Sequence, residues 1–368
     1  MQQIKIPLHS LLNRLERGGS TDEREIRYLL ELSDPAGIRL LFDTAARVRT
    51  RYFDNRIFLY GFLYFSTHCK NDCRFCQYRR SNQNLDRYRK TPEQILDAAK
   101  TMADSGVHLI DLTMGEDPVW HGQGEAGFTE LVELAEQVRA ETGLPVMISP
   151  GVLPGSVLDQ ISRSGIPWYA CYQETHNPSL YHRLRQGQDF NERWAAKQWA
   201  ANAGMLIEEG VLTGVGESSA DLAASIVKMR DFPVDQARVM TFVPHPDTPM
   251  AGMPTQNPEK ELIIIAVMRL LMPDRLIPAS LDVGGLDGLG PKLEAGANVV
   301  TSIVPPEQGL AGVANYSLDI EASRRSTGHI LPVLEHHGLR AATAREYQDW
   351  VDQRQLFKSK YRYEAPAC

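Results

Sequence analysis

The sequence predicts an α/β fold, a (β/α)8 barrel with additional N-terminal and C-terminal helices. Three observations carry that expectation. Eight short apolar runs recur between residues 58 and 303. Stretches of helical period lie between many of them, and both ends of the chain read as helical. A chain of 368 residues accommodates two or three average domains or one large barrel.

The elements follow in order. Residues 1–50 read as an N-terminal helical extension, with helical spacing in Leu8, Leu11, Leu12 and Leu15 and again in Ile26, Leu29 and Leu30. A third helix is expected over 35–49, capped by Asp34 and opened by Pro35. The barrel is expected over 51–318. Its apolar runs cover 58–65, 108–113, 145–149, 168–173, 206–213, 237–243, 275–280 and 297–303. Helical patterns at 92–103, 128–141, 191–203, 218–229 and 258–271 lie between them, as crossovers joining parallel strands require. Eight such units suit a TIM-type barrel. A partly open barrel or a doubly wound sheet satisfies the same alternation. Residues 319–368 read as a C-terminal helical extension packed outside the barrel.

Composition narrows the function. With 39 basic and 46 acidic residues the net charge is −7, which argues against general nucleic-acid binding. Charge interrupts every apolar stretch well before the roughly 20 residues of a membrane helix. Residues 1–14 lack the pattern of a signal peptide. The five cysteines are odd in number and three crowd one loop, so they read as cytoplasmic thiolate ligands rather than a disulfide framework.

In a barrel the C-terminal ends of the strands converge on one mouth. Cys69, Glu116, Ser149, Glu174, Thr213, Thr241 and Ser280 all fall at or just after such ends. The loop Cys69-Lys-Asn-Asp-Cys73-Arg-Phe-Cys76 follows the first run. A closed zinc site needs a fourth ligand; His68 and Asp72 stand near, but no second Cys-x2-Cys does. Three thiolates on a [4Fe–4S] cluster instead leave one iron open to a small molecule.

This Cys-x3-Cys-x2-Cys loop, with Phe75 before its third cysteine, resembles that of the radical S-adenosylmethionine (SAM) superfamily, in its biotin-synthase-like branch. The resemblance implies a [4Fe–4S] cluster on Cys69, Cys73 and Cys76, with SAM chelated at the open iron and cleaved to a 5′-deoxyadenosyl radical. Met114-Gly115-Glu116 resembles the glycine-glycine-glutamate element that meets the methionine ammonium, with Met114 in place of the first glycine. Glu174 and Arg193 resemble the pair that holds SAM's ammonium and carboxylate, and Arg185 competes for that task. Ser149 is expected at a ribose hydroxyl and Gly214 against adenosine, with Thr241 on the cofactor side as well.

Longer blocks, at 111–118, 147–151, 238–242, 275–282 and 295–302, are similar to the methylornithine synthase family. That resemblance spans nearly the whole chain. It implies rearrangement of L-lysine to (3R)-3-methyl-D-ornithine, the first step of pyrrolysine biosynthesis, by hydrogen abstraction, fragmentation and recombination. Arg238 would grip the substrate carboxylate with Ser280 as a further donor, and Asp111 and Asp282 would each meet an ammonium. Ser280 and Asp282 share a face if their strand continues.

Other readings remain on the table. A sulfur-inserting relative would need a second cluster, for which only Cys171 and Cys368 are left. A metallocofactor maturase of similar build needs no further cysteines. A non-catalytic iron–sulfur or zinc protein would have no use for Gly115, Glu174 and Arg193 in that order. The basic run of Lys70, Arg74, Arg79, Arg80, Arg87, Arg89 and Lys90 is either a solvated face or a dock for an acidic electron donor, a reduced flavodoxin or ferredoxin.

Overall fold

The computed structural model describes residues 7–232, 234–304 and 324–360. The expected boundary at 318/319 and Cys368 lie outside the described residues. Three helices come first: α1 (Leu8–Glu16), α2 (Glu23–Leu30) and α3 (Pro35–Phe53). Asp22 caps α2 in a reciprocal box with Glu25, and Asp34 caps α3 ahead of Pro35.

The barrel then alternates. It runs β1 (Arg56–Ser66), α4 (Pro92–Asp104), β2 (Leu109–Met114), α5 (Pro118–His121), α6 (Thr129–Thr142) and β3 (Val146–Ser149). It continues α7 (Gly155–Arg163), β4 (Trp168–Ala170), α8 (Pro178–Leu184), α9 (Phe190–Asn202) and β5 (Leu206–Thr213). The second half is α10 (Ser219–Asp231), β6 (Gln236–Thr241), α11 (Glu259–Leu271), β7 (Pro278–Ser280), α12 (Leu289–Glu294) and β8 (Val299–Ile303). The last described elements are α13 (Thr327–His336), β9 (Arg340–Ala341) and α14 (Ala344–Ser359).

The eight strands pair in parallel in the order β6-β5-β4-β3-β2-β1-β8-β7. Between β7 and β6 the ladder reduces to the bridge of Gln236 with Leu276, flanked by Leu276 N–H donating to Asp235 and Ala237 N–H to Leu276. The barrel is therefore nearly closed, and joined there only near the N-terminal end of β6. α3 packs on α11 and α2 on α10, so the N-terminal helices lie outside that seam.

β4 is shorter than its apolar run because Glu209 intercepts its ladder. The Glu209 carboxylate accepts the backbone N–H of both Gln173 and Gly210, at 2.7 Å each. Pairing with β5 resumes only at Glu174, whose backbone sits at φ 67°. Lys197 of α9 neutralises Glu209 in a fully buried ion pair.

The C-terminal segment closes one end of the barrel. α14 lies beneath the barrel, against the N-terminal ends of its strands. Tyr347 meets Tyr60 hydroxyl to hydroxyl at 2.8 Å, and Trp350 stacks on Trp168. Farther along, Arg354 and Lys358 both bind Asp235, which is fully buried. No helix among the described residues is long and apolar enough to cross a membrane.

The Asp235 pairing makes a test of this floor. Asp235→Ala leaves buried Lys358 without its anion and Arg354 with Asp274 alone, and is expected to cost about 3–5 kcal/mol. Chemical denaturation followed by circular dichroism reads it as a lower midpoint; an unshifted midpoint would show that α14 does not depend on this contact.

Candidate active site

One cavity opens at the C-terminal ends of the strands, with about 1340 Å³ of empty space when its open mouth is included. Single small-molecule sites run roughly 300–1,000 Å³. Its walls include Cys69, Cys73 and Cys76, all free thiols, together with Phe75. Met114, Gly115, Glu116, Ser149 and Thr241 line it from the strand ends. Glu174, Arg185 and Arg193 line it as well, and so do Asp111, Arg238 and Asp282. Gly214 and Ser280 do not. Gly214 donates its N–H to Glu217, and the Ser280 hydroxyl lies 3.2 Å from Asp282 behind the wall.

The cysteine loop is held by guanidinium groups. Arg87 donates to the carbonyls of Thr67, Tyr78, Arg79 and Asn82, and Arg89 grips Asp117 with both nitrogens at 2.7 and 2.8 Å. Two members of the basic run are thereby tied to the loop, Arg89 while still exposed, and Arg79 pairs with Asp72. Gly115 lets the loop dock: a Cβ there would lie 2.4 Å from the His68 carbonyl oxygen and 2.8 Å from Cys69 Cβ. Beside it, Lys70 N–H donates to Glu116 O at 2.8 Å.

The charges near the thiols are paired with one another. Glu174 accepts from Arg185 at 2.8 Å, while Arg193 donates to Glu116 at 2.7 Å and to the Cys171 sulfur at 3.0 Å. Burial holds the Glu174 carboxyl above its ordinary range against the pull of Arg185. Burial also opposes ionisation of Glu116, but Arg193, His121 and Lys70 bring its carboxyl down to about 2. Burial pushes the Cys69 thiol up to about 11 and the Cys76 thiol further.

A second polar group sits deeper. Arg238 and Asp111 each lie three residues before the end of their strands, roughly 10 Å below the rim at strand rise. Arg238 lies between the rings of Phe62 and Tyr172, 5.2 and 5.7 Å from their centres. Glu208 of β5 accepts from its Nε at 2.6 Å, while its Nη2 has no hydrogen-bond partner among the described residues. Ser149 donates to Asp111 at 2.7 Å, and its oxygen keeps acceptor capacity. Burial and the nearby Glu208 push the Asp111 carboxyl up to about 8.

Asp282 accepts from Arg325 at 2.8 Å, Ser302 at 2.6 Å and Tyr64 at 3.2 Å. Burial opposes its ionisation, yet Arg325 and Ser302 hold its carboxyl below the ordinary range. Sequence reasoning passed over Glu208, Arg325 and the aromatic pair. Glu208 carried a signal, a charge in the middle of an apolar run; Arg325 carried none.

The residues suit a cluster with an amino-acid-bearing cofactor. Among the described residues no three histidine, cysteine or acidic side chains close around a single ion. A multi-iron cluster takes one thiolate per iron and needs them farther apart. Its positive irons offset the burial that keeps these thiols protonated. Glu174 Oε2 and the Nε of Arg193 are buried without hydrogen-bond partners among the described residues, matching an ammonium and a carboxylate.

Comparisons with known proteins agree with this chemistry. Residues 63–226 match the Radical SAM superfamily. The chain is 42% identical to the 3-methylornithine synthase of Methanosarcina barkeri, over 92% of this chain and 95% of that one. It is 29% identical to an [FeFe] hydrogenase maturase subunit of Thermotoga maritima, over 79% of this chain and 82% of that one. A crystal structure of methylornithine synthase superposes with a TM-score of 0.87 at 42% identity, covering 93% of this chain and all of that one.

The tight docking at Gly115 generates a test. Gly115→Ala is expected to cut the iron bound per chain several-fold after anaerobic reconstitution, with far-ultraviolet circular dichroism unchanged. Full iron loading in the variant would show that the loop adjusts without cost.

Proposed function

We propose that this chain, which belongs to the 3-methylornithine synthase family of radical SAM enzymes, rearranges the carbon skeleton of L-lysine to (3R)-3-methyl-D-ornithine, the first step of pyrrolysine biosynthesis. The observation that carries the reading is the pair of buried groups deep in the cavity, Arg238, whose Nη2 has no partner among the described residues, and Asp111, whose carboxyl burial pushes up to about 8. A free guanidinium edge calls for a carboxylate, and a desolvated carboxyl calls for a cation. Lysine brings one carboxylate and two ammonium groups.

When bound, the cluster and SAM supply one-electron chemistry, the reductive release of a 5′-deoxyadenosyl radical that abstracts hydrogen. The chain's own residues bind, orient and exclude water. Cys69, Cys73 and Cys76 hold the cluster. Glu174, Arg185 and Arg193 take the ammonium and carboxylate of SAM through the edges that their present pairs leave open. Arg238 anchors the lysine carboxylate, Asp111 one ammonium and Asp282 the other, with Ser280 orienting Asp282. Phe62 and Tyr172 wall the chamber, keeping substrate fragments close enough to recombine.

The reductant is a reduced flavodoxin or ferredoxin in this reading. Its support is the part of the basic run that stays at the surface: Lys70 and Arg80 are exposed, and Arg74 is partly so. The reduction rate is expected to fall as ionic strength rises; a rate insensitive to salt would sink the docking.

Anaerobic binding and turnover of L-lysine from pH 6 to 9 tests the substrate. Mass spectrometry is expected to find methylornithine, and its absence while SAM is cleaved would overturn the assignment. Asp111 must ionise to meet an ammonium. Apparent affinity is therefore expected to rise roughly tenfold per pH unit below about 8 and to level off above. Asp111→Asn removes that slope, and Arg238→Ala abolishes product while leaving cluster uptake intact. Undiminished turnover in Arg238→Ala would remove that residue from the site.

A further inference from the structure

The loop between α8 and α9 carries Gln188, which no role described so far uses. Its side chain meets three groups of the site. Arg193 Nη2 donates to its Oε1 at 2.9 Å and Arg185 Nη1 at 3.4 Å, while its Nε2 donates to the Cys73 sulfur at 3.0 Å. The amide orientation is forced. Both guanidinium groups can only donate, so the oxygen must face them and the NH2 must face the sulfur. Arg185 Nη1 adds a longer contact to the same sulfur, at 3.5 Å. The loop is fixed from both sides, because Gln188 N–H donates to Arg185 O and Arg74 N–H donates to Leu184 O.

We propose that Gln188 is a positioning residue that raises the reduction potential of the cluster through its N–H···S contact to Cys73 and, with its carbonyl oxygen, aligns Arg185 and Arg193 for the SAM carboxylate. The proposal rests on the reading of Cys73 as a cluster ligand. Reduction adds one negative charge to the cluster and its thiolates. A donor aimed at a ligand sulfur stabilises that added charge, so it favours the reduced state. The same amide couples the sulfur to both arginines, so one short side chain sets the electronic state of the ligand and the geometry of the cofactor's anchor.

Two substitutions separate these tasks. Gln188→Leu removes both the donor and the acceptor. Gln188→Glu keeps an acceptor for the arginines and turns a negative oxygen toward the sulfur. The full-length chain is reconstituted with iron and sulfide, and the cluster is titrated with dithionite and mediators. One electron passes to each cluster, read by electron paramagnetic resonance without lysine present. At a fixed applied potential, the ratio of reduced to oxidised cluster is expected to fall about fivefold in Gln188→Leu, the weight of one hydrogen bond, and further in Gln188→Glu. SAM affinity is expected to fall more in Gln188→Leu than in Gln188→Glu.

Iron per chain and unfolding midpoint should match the wild type in both. Unchanged ratios in both iron-loaded variants would overturn the proposal, and so would loss of the cluster from both, which would make Gln188 a purely structural residue. Failure of the wild-type chain to take up a cluster would instead overturn the reading of Cys73 itself.

Discussion

Ionised guanidinium groups sealed inside a barrel set the terms for everything else in this molecule. Arg185, Arg193, Arg238 and Arg325 are all buried, and each is matched to a carboxylate, respectively Glu174, Glu116, Glu208 and Asp282. An unpaired charge in such surroundings costs several kcal/mol, so none of the eight groups is free to relocate alone. The pairs hold the walls of the cavity in place without any ligand. They also leave selected edges open, such as Arg238 Nη2 and Glu174 Oε2, where incoming charges find partners already desolvated and aimed.

The barrel divides this charge by height. Thiols and the Glu174–Arg185 and Glu116–Arg193 pairs occupy the rim, supplied by loops and by the first turn of α9. Arg238 and Asp111 belong to the strands themselves and lie below. Strand geometry fixes that difference in depth more firmly than any loop could. A large cofactor at the rim would sit over a smaller substrate underneath, with the aromatic rings of Phe62 and Tyr172 closing the lower chamber.

The strands were legible because each is a compact apolar run between helical patterns, a signal carried by neighbours in sequence. The cysteine loop was legible for the same reason, three ligand-type residues within eight positions. Partnerships were not. That Glu174 pairs with Arg185, placed at the end of the short helix α8, and Arg193 with Glu116 is written in no run of neighbouring residues. Ser149 gives its proton to Asp111, and Gly214 gives its N–H to Glu217. The shortening of β4 comes from a side chain on its neighbour, Glu209, competing for backbone donors. Arg325 reaches Asp282 from far along the chain, and only the folded barrel brings the two together.

The floor formed by α14 has a consequence for biosynthesis. Residues 344–359 emerge from the ribosome after every barrel strand, so Trp168, Tyr60 and Asp235 stay uncovered while the eight strands assemble. A nascent barrel would then expose aromatic surface and an unneutralised carboxylate on its underside, the kind of intermediate that chaperones hold. Its mouth, at the opposite end, carries the three cysteines, so the cysteine loop and the floor are separated in space.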